Sequence, residues 1–167
     1  MRGYRRLDGL YDIEARLRDT KARDLDLQSG RNVPAGQAIH DMALRLVVDE
    51  ELNVVDIAAS TDASPFGICS DAVAALQSIK GLRIGAGWSR AVRERLARRA
   101  NCTHLVELLG PLATVAFQTI APVRLARPAA VDGRGKPVKI DSCYAYASDR
   151  EVVRERWPDH YDGPPSS

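Results

Sequence analysis

Residues 39–64, IHDMALRLVVDEELNVVDIAASTDAS, carry the reading on which the fold turns. Met42, Leu44, Leu46 and Val48 recur at every second position, which lines one face of a strand with apolar side chains. The polar stretch 49–53 supplies a turn, and a second apolar run follows it, so the segment reads as an antiparallel hairpin. Upstream, Asp8-Gly9 supports the positive backbone angles of a tight turn. Beyond it Ile13, Ala15 and Leu17 alternate with Glu14, Arg16 and Arg18, which predicts a first hairpin. Residues 19–38, with Ser29, Gly30, Asn32, Pro34 and Gly36, read as a loop.

Downstream the period changes from two to that of a helix. The return strand stops at Asp62-Ala63-Ser64-Pro65. Ser70 is then placed to cap a helix over 71–80 that closes at Gly81. A second helix is expected over 89–99, with Trp88, Val92 and Leu96 inward and an arginine-rich outer face that reads as solvated. The apolar run CTHLVELLGPLATVAFQTI predicts a third helix, bent or divided at Gly110-Pro111 because proline cannot donate the interior bond. Residues 121–137 read as a surface excursion, and VKIDSCYAYA as a short strand holding Cys143. Ser148 and Glu151 have capping-box spacing ahead of a last helix ended by Pro158. Strands and helices are segregated along the chain. The fold class expected is therefore α+β, with N-terminal antiparallel hairpins forming a sheet packed against helices, then a C-terminal strand and helix. A single domain is expected over 1–157, with 158–167 as a mobile tail.

Composition narrows the function. The chain has 167 residues, 45% hydrophobic and 28% charged, so it is expected to bury a core. Its 24 basic and 22 acidic residues leave a net charge of +2, far from the excess of a nucleic-acid binder. No run of about 18 apolar residues or apolar leader is present, so no membrane partner is expected and the location expected is cytoplasmic. Cys69, Cys102 and Cys143 are too few and too scattered for a disulfide framework, and a reducing compartment would leave them as thiols.

The residues able to carry chemistry are His40, Asp41, Cys69, Cys102 and His104, each at the edge of an element, where side chains from separate segments converge. A thiol at a helix N-terminus meets the positive end of the dipole, which favours thiolate; Cys69 and Cys102 are both so placed. His40 and Asp41 point to opposite faces of an extended chain and compete as ligands. His104 lies two residues after Cys102, so the pair reaches one ion only if the first turn is irregular.

Several motifs together, among them RRLDGLYDIEARLRDTK, VPAGQAIHDM, TDASPFGIC, GLRIGAGW, CTHLVELLGPLATVAFQTI and SCYAYASDREVVRERWP, resemble a bacterial family catalogued as domain of unknown function 2889. That resemblance implies no activity. Residues 39–120 also bear a more remote similarity to the NifU and IscU type of iron–sulfur cluster scaffold. This second resemblance implies that Asp41, Cys69 and Cys102 are metal ligands. Ile39 stands where the scaffold has its first cysteine and Asn101 where it has a histidine, which leaves His40 or His104 to complete the set.

The first function expected is a small metalloenzyme of hydrolase, hydratase or lyase type. Asp41, Cys69, Cys102 and His40 would hold zinc or iron, and His104 would move the proton of a small-molecule substrate. The alternatives are a zinc or iron–sulfur carrier without catalysis, and a metal-free enzyme with Cys69 or Cys102 as a nucleophile activated by His104. A homo-oligomer is compatible with each.

Overall fold

The computed structural model describes residues 1–96 and 98–164, so the end of the expected tail, 165–167, lies outside the described residues. The chain forms two compact units, Met1–Ala121 and Pro122–Ser167.

The first unit is built on a four-stranded antiparallel sheet in the order β1-β2-β5-β6, with β1 at Arg2–Arg5, β2 at Tyr11–Thr20, β5 at Ala38–Val48 and β6 at Val54–Ala63. The first hairpin turns at Gly9, whose φ of +85° is the left-handed geometry its lack of a Cβ permits. The second turns at 49–53, where the Asp49 carboxylate accepts the Asn53 backbone N–H at 2.8 Å. The register Leu46↔Ile13 and Leu44↔Ala15 on one side, with Leu46↔Ile57 on the other, gathers the alternating apolar residues on one face. Ile13, Met42, Leu44 and Leu46 are fully buried there. Burying each such aliphatic side chain is worth about 1.5–3 kcal/mol. The β5–β6 ladder shifts at Asp41/Met42 and again at Val47/Val48. At each shift β6 holds one residue more than β5, Asp62 and Val55, as in a β-bulge.

Helix α1 is Trp88–Arg95 and α2 is Thr103–Leu125. Leu105, Leu108, Leu109, Leu112, Ala113, Ala116 and Ile120 give α2 a buried face. Near its C-terminal end it approaches β1 so closely that a Cβ on Gly3 would lie 1.9 Å from Thr119 Oγ1. Near its start Cys102 meets Met42 of β5 at 4.0 Å. These two contacts lay the helix across the inner face of the sheet. The Trp88 indole N–H donates to the Leu109 carbonyl at 3.2 Å and ties α1 to α2. On length and composition α2 could cross a membrane, with mean hydropathy 1.4, a test that the core helix of a soluble protein also passes.

The structure corrects several sequence expectations. The loop 19–38 contains a small hairpin of β3, Leu25–Asp26, and β4, Asn32–Val33, strands too short to show a period. The segment after β6 is a 3-10 helix, Gly67–Ile79, that begins before Ser70; the Ser70 hydroxyl donates to the Gly67 carbonyl instead of capping. Gly81 does close it, with φ +79°. The helix expected over 89–99 ends at Arg95, and a separate 3-10 turn covers Arg98–Ala100. Its outer face is charged as read, with Arg90 paired to Glu94 at 2.8 Å. Helix α2 runs unbroken through Gly110-Pro111. Pro111 gives no N–H to the Glu107 carbonyl and its ring crowds that carbonyl, while Gly110, lacking a Cβ, removes part of the further clash with the preceding residue.

In the second unit Cys143 is not on a strand. It is exposed and precedes a 3-10 turn, Tyr144–Tyr146. The last helix, α3, is Glu151–Arg156 and begins without a side-chain cap, because its N-cap position falls on Arg150 and not on Ser148, whose backbone N–H donates to Asp141. Pro158 opens a 3-10 turn, Pro158–His160. Ile140 and Val153 are the buried aliphatic residues of this unit among those described.

Candidate functional site

The inward face of the sheet does not stay apolar to its end. Continuing the alternation of β2 past Leu17 places Asp19 inward, and continuing β5 back from Met42 places His40 inward; the two are direct cross-strand partners. His40 Nδ1 lies 3.3 Å from Asp19 Oδ2, with the imidazole 13% exposed. Lys21 also reaches Asp19, at 2.8 Å, and the two contacts hold the Asp19 carboxyl below its ordinary range, Lys21 contributing more.

The start of α2 lies over this pair. The His104 ring stacks on that of His40 with centroids 4.0 Å apart and planes tilted by 34°. Burial, reinforced by the neighbouring His40, lowers the His104 pKa below the ordinary histidine value, so its neutral form is favoured. Cys102 occupies the N-cap position: its carbonyl accepts the Val106 N–H, while its own backbone lies outside the helix. That placement turns the thiol back onto the first turn, and Sγ comes to 3.8 Å from His104 Nδ1. Because Cys102 lies just outside the helix, which begins at Thr103, the approach does not need both residues on one regular turn. Sγ also lies 4.0 Å from Met42 Sδ. Thr61, cross-strand neighbour of Met42, has a buried hydroxyl without a hydrogen-bond partner, and it lines an open cleft of about 410 Å³ with Ser29, Arg31 and Ser70.

Three of the sequence candidates, His40, Cys102 and His104, thus meet at one end of the sheet. The other two do not join them. Asp41 points to the opposite face of β5, where the Arg16 guanidinium donates to both its oxygens at 2.6 and 2.8 Å. This bidentate pairing holds the Asp41 carboxyl below the usual carboxylate range. Cys69 sits half-buried in the first turn of the 3-10 helix Gly67–Ile79, its N–H bonded to the Phe66 carbonyl. Among the described residues, no group of three or more His, Cys, Asp or Glu side chains has a geometry that could hold a metal ion. Asp19 and Met42 belong to the cluster and were not among the residues singled out from sequence. For Asp19 the signal was available: a carboxylate in phase with Ile13, Ala15 and Leu17.

These features define an α+β unit in which an imidazole and a carboxylate at one end of the sheet meet a thiol and a second imidazole at the start of the helix that covers it. A family model described as "Protein of unknown function (DUF2889)" matches residues 1–118, and the chain belongs to that family. The match ends within α2, close to the limit of the first unit. Comparison with curated proteins and with solved structures gives no match. The likeness to iron–sulfur scaffolds gains no support from these comparisons.

Proposed function

We propose that the chain is a thiol-dependent enzyme acting on a small polar molecule, with Cys102 as nucleophile and His104 as the base that receives its proton. The observation that carries this reading is the 3.8 Å approach of Cys102 Sγ to His104 Nδ1 at the N-terminus of a 23-residue helix. A neutral imidazole accepts a proton, and burial favours that form of His104 at neutral pH. In the reaction the thiol proton passes to Nδ1 and sulfur bonds to an electrophilic carbonyl carbon. The leaving group then departs with the proton, and water releases the acyl group. The first N–H groups of a helix lack partners within it and are suited to a developing oxyanion. Asp19 fixes His40, and His40 supports the His104 ring by stacking, so both act as positioning residues. A cytoplasmic setting suits such chemistry, because free thiols persist there.

The zinc or iron site built on Asp41, Cys69, Cys102 and His40 does not fit the side chains as they stand. Both Asp41 oxygens are held by Arg16 on the far face of the sheet, and Cys69 is not gathered with the others. An iron–sulfur carrier built on the same ligands meets the same obstacle.

Alkylation by iodoacetamide, followed at each cysteine by mass spectrometry near pH 7, tests the thiol reading. Replacing His104→Gln is expected to slow alkylation of Cys102 at least tenfold while leaving Cys69 and Cys143 unchanged. Equal Cys102 rates in the two proteins would remove the dyad.

A further inference from the structure

The cluster contains a donor that the thiol mechanism leaves unused. Met42 is fully buried, and its thioether sulfur lies 4.0 Å from Cys102 Sγ. Cys102 Sγ thus has a second donor, His104 Nδ1, at 3.8 Å. An ion bound at about 2.3 Å from sulfur and about 2.0–2.1 Å from nitrogen, in a flat three-donor arrangement, keeps two sulfurs ~4.0 Å apart and sulfur and nitrogen ~3.8 Å apart. The two separations that involve Cys102 match those of such an arrangement. A thiolate, a thioether and an imidazole are soft or borderline donors, a set that selects monovalent copper over zinc or magnesium.

We propose that Cys102, Met42 and His104 form a three-coordinate site for monovalent copper. Binding displaces the thiol proton to solvent, and Sγ, Sδ and Nδ1 each donate a pair to the ion, with no change of oxidation state. The neutral form of His104, tautomerised with its proton on Nε2, presents the free Nδ1 pair the ion needs. The site shares Cys102 with the proposed nucleophile, so copper occupancy blocks thiol chemistry and acts as a regulator of it. The binding itself does not depend on the enzyme reading being right.

The test uses the full chain with Cys69→Ser and Cys143→Ser, so that only Cys102 remains as a thiol. Under anaerobic, reducing conditions, monovalent copper is titrated in competition with bicinchoninate. One equivalent is expected to bind. Met42→Leu, which conserves volume, is expected to weaken binding at least tenfold. X-ray absorption of the copper-loaded protein should show two sulfurs and one nitrogen, a readout that needs no variant to fold. Copper bound equally well by Met42→Leu, a shell without a second sulfur, or no retention against bicinchoninate would each overturn the site. Tight copper binding together with His104-independent alkylation would leave the site standing and remove the enzyme reading alone.

Discussion

Gly3 is the residue whose replacement most directly tests how α2 is seated. A Cβ built at Gly3 lies 1.9 Å from Thr119 Oγ1 and 2.9 Å from both Thr119 Cβ and Cγ2. Gly3 does not have a positive φ, so its backbone would accept alanine without strain. In open space Gly3→Ala would then stabilise the protein by about 0.4–1 kcal/mol through the unfolded chain. Here the steric cost opposes that gain. Rotating Thr119 removes the clash with Oγ1 and breaks its 2.8 Å bond to the Val115 carbonyl, but Thr119 Cβ stays at 2.9 Å whatever the rotamer. Relief therefore requires β1 or α2 to move, and overpacking of this kind costs roughly 1–3 kcal/mol. The net expectation is a loss of about 1–2 kcal/mol. At roughly 2–4 °C per kcal/mol for a chain of this size, that lowers Tm by about 2–8 °C. Thermal and urea denaturation of Gly3→Ala, Thr119→Ala and the double variant measure it. The double variant is expected to recover part of the loss, because Oγ1 and Cγ2 are gone and only the Cβ contact remains. A Gly3→Ala protein as stable as the parent, or more stable, would mean that α2 does not rest on β1 as described. The position of Cys102 over Met42 would then lose its main support.

Two further outcomes follow from titration. His104 has a lowered pKa in the folded chain, so between that value and the unfolded value near 6.5 the unfolded chain binds more protons, and stability falls as pH drops through that window. In His104→Gln this part of the pH dependence of urea midpoints should vanish; an unchanged slope would assign it to another group. Asp41 is also depressed, chiefly by its hydrogen bonds from Arg16, and its contribution is present above the unfolded value near 3.9 and lost as pH falls through the folded one. Arg16→Met is expected to lower stability at pH 7 and to flatten the acid limb of the stability curve, whereas an acid limb identical to the parent's would show that the pair contributes little.

The hairpins were legible because each has one buried face: alternation in 11–17 and 42–48, with turn residues between, leaves no second register that buries the same side chains. The α2 core helix was equally plain, but its passage through Gly110-Pro111 was not, since periodicity does not show that the buried face on both sides of an interior proline outweighs its cost. The strand assigned around Cys143 failed for the opposite reason: alternation over a few residues there coincides with a turn, and nothing in the pattern distinguishes them. At the site, Cys102 and His104 were identifiable by residue type and position. Their meeting with His40 depends on the path of α2 over the sheet, a long-range packing result absent from local sequence. Asp41 misled because its neighbour Arg16 is fixed by the β2–β5 register, so the partner that saturates it lies 25 residues away.

The two extra residues in β6 have a consequence for how the molecule behaves in a crowded solution. A strand at the rim of a sheet offers unpaired amides to any other chain, and a flat rim invites association by sheet extension. Val55 and Asp62 break the straightness of one rim, and the Val54 N–H and carbonyl are already engaged by Leu82 and Gly81. The other rim, β1, is four residues long and carries Arg2 and Arg5. Neither border offers a straight template for fibril growth, even though the strands between them are rich in valine, isoleucine and leucine.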